Sequence, residues 1–436
     1  MKAQNRTKFF LTLVIFSLTG QIAWVVENMY FNVFIYKMFG ASAADISAMV
    51  AASAAAATVT TLLIGALSDK LGKRKVFICG GYILWGISIL SFCLIREDIV
   101  GALLPATASV SAVCVTLVII MDCVMTFFGS SANDACFNAW LTDMTDDTNR
   151  GAAEGINSMM PLVAILAVFG GFMSFDLGKS ESWTAIFAII GVAVIIIGVA
   201  GFFLISEPKL EISQNKSYFG NIFYGFRPSV VRENKKLYIY LIAFAVFGIS
   251  IQIFMPYLIL YYTVSLKMDN YVFIMAPAII LAAVFTAFWG RVYDKVKFRR
   301  SVFPALALLM LGYVLLYFFR GTALVFVGSL LMMCGYLSGA AVFGAVIRDN
   351  TPENRAGMFQ GLRIVGQVLV PGIIGPALGA QILANAETIV NDDGTTSFVP
   401  NQNIFLAALA VAAVLCVLLF AVFKITEKKG ENKNGK

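Results

Sequence analysis

The chain has 436 residues, of which 59% are hydrophobic and only 13% charged, and its mean hydropathy is +0.84. Such apolarity excludes a soluble globular domain and marks a polytopic membrane protein. The net charge of +7 reflects basic residues gathered on one side of a membrane, and it calls for no nucleic-acid partner.

A membrane helix needs roughly 20 apolar residues, whereas a barrel strand takes about 10 of alternating character. The sequence supplies long apolar runs at 9–36, 45–66, 76–95, 112–142, 153–175, 183–205, 237–264, 270–291, 300–319, 322–348, 358–385 and 402–424. An all-α integral membrane protein of twelve transmembrane helices is expected. The first run is too long for a signal-peptide core and lacks a small-residue cleavage pattern after it, so it reads as a retained helix. The stretch "EDIVGALLPATASVSA" before the fourth run reads either as an external loop or as part of the helix.

Lys and Arg fix the orientation, because cytosolic loops retain positive charge. With an even helix number both termini share a side. That side carries 27 of the 32 basic residues, and the other carries Lys37, Arg96, Lys179, Lys267 and Arg320. Both termini are therefore expected in the cytoplasm of a cell (plasma) membrane protein.

The seven cysteines, Cys79, Cys93, Cys114, Cys123, Cys136, Cys334 and Cys416, fall in apolar runs without CxxC spacing. They read as small buried hydrophobes rather than disulfides or metal ligands. There is no histidine, so proton chemistry falls to carboxylates. No metal and no cofactor is expected.

The longest polar connection, Ser206 to Lys236, divides the runs six and six. It separates an N-terminal bundle (1–205) and a C-terminal bundle (237–436) with a cytosolic linker (206–236). After the second run, "GALSDKLGKRK" carries Gly65, Asp69, Lys70 and Arg74. After the eighth, "GRVYDKVKFRR" carries Gly290, Asp294, Lys295 and Arg299, each 225 positions later. "NRGAAEG" (Asn149 to Gly155) recurs as "NRAGMFQG" (Asn354 to Gly361) with one inserted residue. Two echoes at nearly one separation indicate an internal duplication.

On these motifs the chain resembles the major facilitator superfamily. Its loop signature, Gly-x-x-x-Asp-x-x-Gly-Arg/Lys-Arg/Lys, is matched at Gly65, Asp69, Gly72, Lys73 and Arg74. The resemblance implies two six-helix bundles related as parallel repeats and transport by alternating access. In such a loop Asp69 can accept from a neighbouring helix N-terminus or pair with Arg150. Asp69, Arg74, Asp143, Arg150 and Glu154, with Asp294 and Arg355 in the second half, are the candidate gate.

A charge at the centre of a membrane helix costs about 2.5–3.5 kcal/mol on insertion scales, so it normally faces a cavity or a partner. Among all acidic residues, Glu27, Asp122 and Asp134 lie clearly inside apolar runs, with Glu154 near the end of the fifth. No Lys or Arg falls at core depth to pair with them. A carboxyl in low dielectric without a cation disfavours its charged form, so it loads a proton or binds a metal cation. An ion-coupling site in the N-terminal half follows.

On the fourth helix Ser130, Asp134 and Asn138 stack at i, i+4 and i+8, while Thr126, Asn133 and Asp122 line the adjacent face. Roughly 18 Å of helix separates Asp122 from Asp134, which assigns them to different sites and favours Asp134 for coupling. The segment "NDACFNAWLTDMTDDTNR" resembles the fourth-helix signature of the glycoside-pentoside-hexuronide cation symporters, the melibiose permease family, at Asp134 and Phe137. That resemblance implies a cation-site role for Asp134. The acidic residues of that family's second helix are absent, since "AASAAAATVTT" offers only Ser53, Thr58, Thr60 and Thr61. A sodium cage wants several charged oxygen ligands, so a proton is favoured over sodium. "GQIAWVVENMYF" is similar to first helices of sucrose:proton-type symporters.

On the first helix Gln21, Asn28 and Asn32 fall within about 20° of one line, with Trp24 beside them. A polar stripe with an aromatic platform suits sugar hydroxyls. Glu27, about 100° off that line, is expected either at the site or facing the bundle. Gln252, Tyr257 and Tyr261 on the seventh helix, with Gln360 and Gln367 on the eleventh, are second-half candidates for substrate binding, as is Ser130 in the first.

No nucleotide-binding loop, metal constellation or serine elbow is present, which excludes an enzyme. No ring of filter residues repeats, which excludes a channel. The expected function is secondary active, proton-coupled symport of a neutral polar solute such as a sugar or glycoside by a monomer surrounded by lipid. An exporter of drugs or lipids, favoured by 37 Phe and 17 Met, and a non-transporting receptor or scaffold are the alternatives.

Overall fold

A computed structural model describes residues 3–104, 109–146, 149–207, 224–268, 270–351, 361–390 and 396–434. Among them, eleven helical segments are long and apolar enough to cross a membrane. One of these, Val272–Phe318, has 47 residues, about 70 Å of helix against roughly 30 Å of hydrocarbon. It is two helices joined at Lys297, whose φ of 60° and ψ of −178° are not helical. Twelve helices result, as the apolar runs require.

We number them α1 (Arg6–Phe39), α2 (Ala43–Leu71), α3 (Lys75–Leu94), α4 (Val110–Asp143), α5 (Gly151–Phe172), α6 (Ser180–Leu204), α7 (Lys235–Ser265), α8 (272–296), α9 (298–318), α10 (Thr322–Asn350), α11 (Gly361–Leu383) and α12 (Asn403–Lys424). Glu97–Leu103 forms a separate short helix, so this part of the ambiguous stretch before the fourth run is not a continuation of α4. Strands Thr388–Val390 and Thr396–Phe398 pair between α11 and α12.

Local chemistry sets the boundaries. Gly40 at φ 60° ends α1, and Ser42 then opens α2 with a capping box. The Ser42 Oγ accepts from the Asp45 amide at 3.2 Å, and Asp45 Oδ2 accepts from the Ser42 amide at 2.9 Å. Gly72 at φ 62° ends α2 in the left-handed conformation that a side chain resists. That reversal brings Arg74 back beneath the end of α2.

The chain divides into two compact units, Met1–Ile222 with Ile389–Ser397, and Phe223–Thr388 with Phe398–Lys436. In the first, α1 packs on α5, α2 on α4 and α3 on α6. In the second, α7 packs on α11, and α8 and α9 pack on α10 and α12. The α1–α5 pairing thus recurs six helices later as α7–α11, as duplication demands. Small residues allow the closest approaches. A Cβ at Gly86 of α3 would lie 2.6 Å from the Gly191 carbonyl of α6. Large apolar side chains such as Leu84, Ile189, Ile196 and Phe203 stay exposed, the pattern of helices solvated by lipid.

Candidate functional site

Two helices of the first unit widen into π-helical turns, α1 at Val26–Tyr30 and α4 at Ser130–Phe137. A π turn redirects side chains that a regular helix would place elsewhere, and such turns collect at functional positions. Each of these two carries a carboxyl group, Glu27 in the first and Asp134 in the second.

Glu27 turns inward and is 6% exposed. Its Oε1 accepts hydrogen bonds from Ser53 Oγ of α2 at 2.6 Å and from Thr126 Oγ1 of α4 at 2.8 Å. The two hydroxyls themselves lie 2.9 Å apart. Asp122, one turn before Thr126 on α4 and close to Ser53 and Glu27, is 1% exposed. Glu27 Oε2 and Asp122 Oδ1 are buried without a hydrogen-bond partner among the described residues. Asp122 therefore joins Glu27, not Asp134.

Asp134 sits half-buried in a separate set of donors. Its Oδ2 accepts from Ser130 at 3.0 Å and its Oδ1 from Asn133 Nδ2 at 3.4 Å, and the Trp24 indole faces it. Asn133 is itself held by the Tyr82 hydroxyl, which is 3.0 Å from Asn133 Oδ1 and 2.8 Å from the Phe16 carbonyl. This knot joins α1, α3 and α4 where Gly20 lets them meet; a Cβ there would lie 2.5 Å from Asn133 Oδ1. Trp24 rests on Trp85 with ring centroids 4.9 Å apart, and both rings press against Gly129. Trp24 thus lies one turn from Glu27, toward Asp134.

The expected polar stripe is linked along α1. Asn28 Nδ2 donates to the Trp24 carbonyl at 2.8 Å, and Asn32 Nδ2 to the Asn28 carbonyl at 3.2 Å. Asn28 is exposed, Gln21 and Trp24 are half-buried, and Asn32 is buried with no partner for its Oδ1 among the described residues. Asn138 is exposed and donates to the Asp134 carbonyl at 3.2 Å.

In the second unit Tyr257 and Tyr261 are fully buried and donate to the main-chain carbonyls of Pro376 at 3.3 Å and Leu316 at 3.2 Å. Gln252 packs against Gly375 of α11. Gln367 is half-buried in the π turn Val365–Leu369. Gln360 lies outside the described residues.

Two gate candidates, Asp69 and Asp143, meet at a third, Arg74, which is 5% exposed. Its guanidinium reaches Asp69 at 2.5 Å, Asp143 at 3.0 Å and Ser68 Oγ at 2.8 Å. Burial works against this charge, but Asp69 and Asp143 outweigh it and hold the Arg74 pKa above the usual arginine value. Among the described residues Asp69 pairs with Arg74. Arg150 stands immediately before α5, its side chain outside the described ones, and Glu154 is exposed. In the second unit, Asp294 is exposed and forms no ion pair among the described residues. Arg299 stands over the Phe423 ring at 5.6 Å, and Asp349 accepts from the Tyr293 hydroxyl at 2.6 Å. Arg355 lies outside the described residues.

Sequence reasoning passed over three participants. Ser53 shows only as the first hydroxyl in an alanine run, yet it bridges three helices. Tyr82 carries no motif. Glu207, just past α6, accepts from the Arg74 amide at 2.5 Å and the Lys75 amide at 3.2 Å, so it caps α3. A lone acid two residues beyond an apolar run is the signal for it.

The sequence matches the Major Facilitator Superfamily over residues 9–344 and 283–436. The chain belongs to that family and is a transporter, not an enzyme. Its structure is similar to a variant of the nucleoside transporter NupG (TM-score 0.72, 14% identity, covering 95% of this chain and 99% of that one). It is also similar to a D-xylose-proton symporter (0.72, 12%, 94% and 97%). A third is a bacterial homolog of the human lysosomal transporter Spinster in an inward-facing, occupied conformation (0.70, 15%, 97% and 98%). At such identity these likenesses establish the fold. No curated protein matches the sequence.

Proposed function

We propose that the chain is a secondary active transporter that couples a proton to the symport of a neutral polar solute, a sugar or glycoside, by alternating access. The observation that carries this reading is the set of three carboxyl groups, Glu27, Asp122 and Asp134, embedded in membrane helices of one unit. None of them forms an ion pair with Lys or Arg among the described residues. Ionised groups so placed are costly, and a proton that neutralises them can be carried. The resemblance of "NDACFNAWLTDMTDDTNR" to glycoside-pentoside-hexuronide symporters and the likeness to a D-xylose-proton symporter support the same class.

In this reading the half-exposed Gln21 and Trp24, the exposed Asn28 and the half-buried Asp134 meet the solute, whose hydroxyls find both amide and carboxylate partners. Asp134 and the buried Glu27 and Asp122 carry the proton. Both termini are cytoplasmic, in keeping with the 27 to 5 distribution of basic residues. The Arg74 cluster ties together helix ends on that side.

The test uses proteoliposomes and a panel of radiolabelled pentoses, hexoses, β-glycosides and nucleosides. An inward proton gradient is expected to drive accumulation of at least one sugar, and a protonophore to abolish it. Accumulation that follows a sodium gradient and ignores the proton gradient would overturn the coupling assignment.

A further inference from the structure

The π turn at Val26–Tyr30 changes what α1 shows its neighbours. Its wider ring closes between the Phe31 amide and the Val26 carbonyl, five residues back. In a regular helix Phe31, four residues after Glu27, would face the same helices as Glu27. It does not. Glu27 meets Ser53 of α2 and Thr126 of α4, whereas Phe31 packs on Phe92 of α3 and Phe187 of α6 with ring centroids 4.8 and 5.6 Å away. The extra residue turns the outer half of α1 by roughly 100°, and Asn32 takes the place above Glu27 that Phe31 would have held. Burial agrees, since Asn28 is exposed and Asn32 is only 1% exposed. The polar stripe that begins at Gln21 stops at Asn28, and Asn32 turns into the bundle.

Two oxygens on that face, Glu27 Oε2 and Asn32 Oδ1, have no hydrogen-bond partner among the described residues. Ser53 and Thr126 engage the other carboxyl oxygen of Glu27, and Asn32 Nδ2 is occupied by the Asn28 carbonyl at 3.2 Å. A buried amide oxygen left bare at membrane depth is costly, and an apolar side chain would avoid that cost. A water molecule satisfies it. Buried waters make about three hydrogen bonds to such groups, and side chains one turn apart are close enough for one water to bridge. Asn32 has no titratable proton of its own. The titratable groups around Glu27 are Asp122, whose Oδ1 also lacks a described partner, the Cys123 thiol beside it, and Asp134 farther along α4. No Lys or Arg pairs with any of the three carboxyls among the described residues.

We propose that Asn32 is a positioning residue for proton entry: its Oδ1 and Glu27 Oε2 hold a water molecule between them, and protons from the outer side reach Glu27 through it. This rests on the proton-coupled reading above and on the orientation that places Asn32 outward of Glu27. The step is balanced. A proton arriving from the outer medium makes the water a hydronium, which hands one hydrogen to Glu27 Oε2. One O–H bond breaks at the water and one forms at the carboxyl; the water is again neutral and Glu27 becomes neutral. The Asn32 oxygen holds the water in place and exchanges no proton itself.

Asn32→Val and Asn32→Thr of the full-length protein test it, because the two replacements have nearly the same shape and differ by one hydroxyl. Thr can still hydrogen-bond a water, and Val cannot. In proteoliposomes Asn32→Val is expected to lower the initial rate of proton-driven sugar uptake about tenfold or more, with KM for the sugar and exchange of labelled for unlabelled sugar at equal pH near their wild-type values. Its rate should climb as the outer medium is acidified through a range where the wild type is already saturated, since proton loading has become limiting. Asn32→Thr should recover most of the rate and the wild-type pH profile. Equal rates in the two variants, or a loss carried by KM, would overturn the proposal and leave the transport reading in place. A structure of the wild-type protein at a resolution that shows internal waters answers independently of the variants and of the solute. Density between Asn32 Oδ1 and Glu27 Oε2 is expected, and its absence where other buried waters are visible would overturn the proposal. A water in that place without proton-driven accumulation of any sugar would support Asn32 as its holder and refute the transport reading.

Discussion

Arg74 Nε donates to Asp143 Oδ2 at 3.0 Å, tying the turn after α2 to the end of α4. The same guanidinium reaches Asp69, but Asp69 is 64% exposed at its side chain whereas Asp143 is 21% exposed. The two pairs therefore carry unequal weight, since solvent screens the Asp69 interaction.

Arg74→Ala should destabilise the protein in detergent by on the order of 3 kcal/mol, because it leaves Asp143 partly buried without its cation. Asp69→Asn should cost about 1 kcal/mol or less. Thermal unfolding followed by intrinsic fluorescence reads both. Arg74→Lys should not rescue, since a point charge cannot serve two carboxylates and Ser68 Oγ in one plane. Equal losses for Asp69→Asn and Arg74→Ala would assign the hub to the exposed pair instead.

Gly20 is the point at which α1, α3 and α4 touch. Gly20→Ala should lower the unfolding temperature by several degrees, as its Cβ meets Asn133 Oδ1 at 2.5 Å and the Tyr82 hydroxyl at 2.8 Å. Gly290→Ala, with nothing within 4 Å of the added Cβ, should leave it nearly unchanged. Tyr82→Phe, which strands the buried Asn133 oxygen, should cost about 1–3 kcal/mol.

Much of this fold is legible in the apolar runs, because bilayer thickness sets helix length and the loop motifs mark the duplication. The break between α8 and α9 is legible too, since "GRVYDKVKFRR" is too charged to cross a membrane. The acid cluster is only half legible. Glu27, Asp122 and Asp134 stand out by charge alone, yet spacing along α4 says nothing about which of them α1 joins. That depends on a π turn at Val26–Tyr30, which no local pattern announces, and on Ser53, whose partners lie 26 and 73 positions away. The Asp69 pairing was equally hidden, because Gly72 folds Arg74 back onto its own loop.

Trp24 separates solute contact from proton holding. With a sugar that the wild type accumulates, Trp24→Phe should raise KM several-fold while the accumulation ratio at saturating solute stays near the wild-type value. Tyr257→Phe should change neither by more than about twofold, because that hydroxyl donates to the Pro376 carbonyl. Initial-rate uptake in proteoliposomes measures both. A collapse of accumulation in Trp24→Phe would place the ring in the coupling step.

The most direct test of coupling by first-unit carboxyls is accumulation against counterflow in the same proteoliposomes. Asp134→Asn and Glu27→Gln each keep hydrogen-bonding capacity but cannot release a proton. Both are predicted to abolish sugar accumulation driven by a proton gradient while exchange of labelled for unlabelled sugar at equal pH persists at a measurable fraction of the wild-type rate. Proton-driven accumulation of wild-type extent in both variants, with its normal pH dependence, would contradict the account.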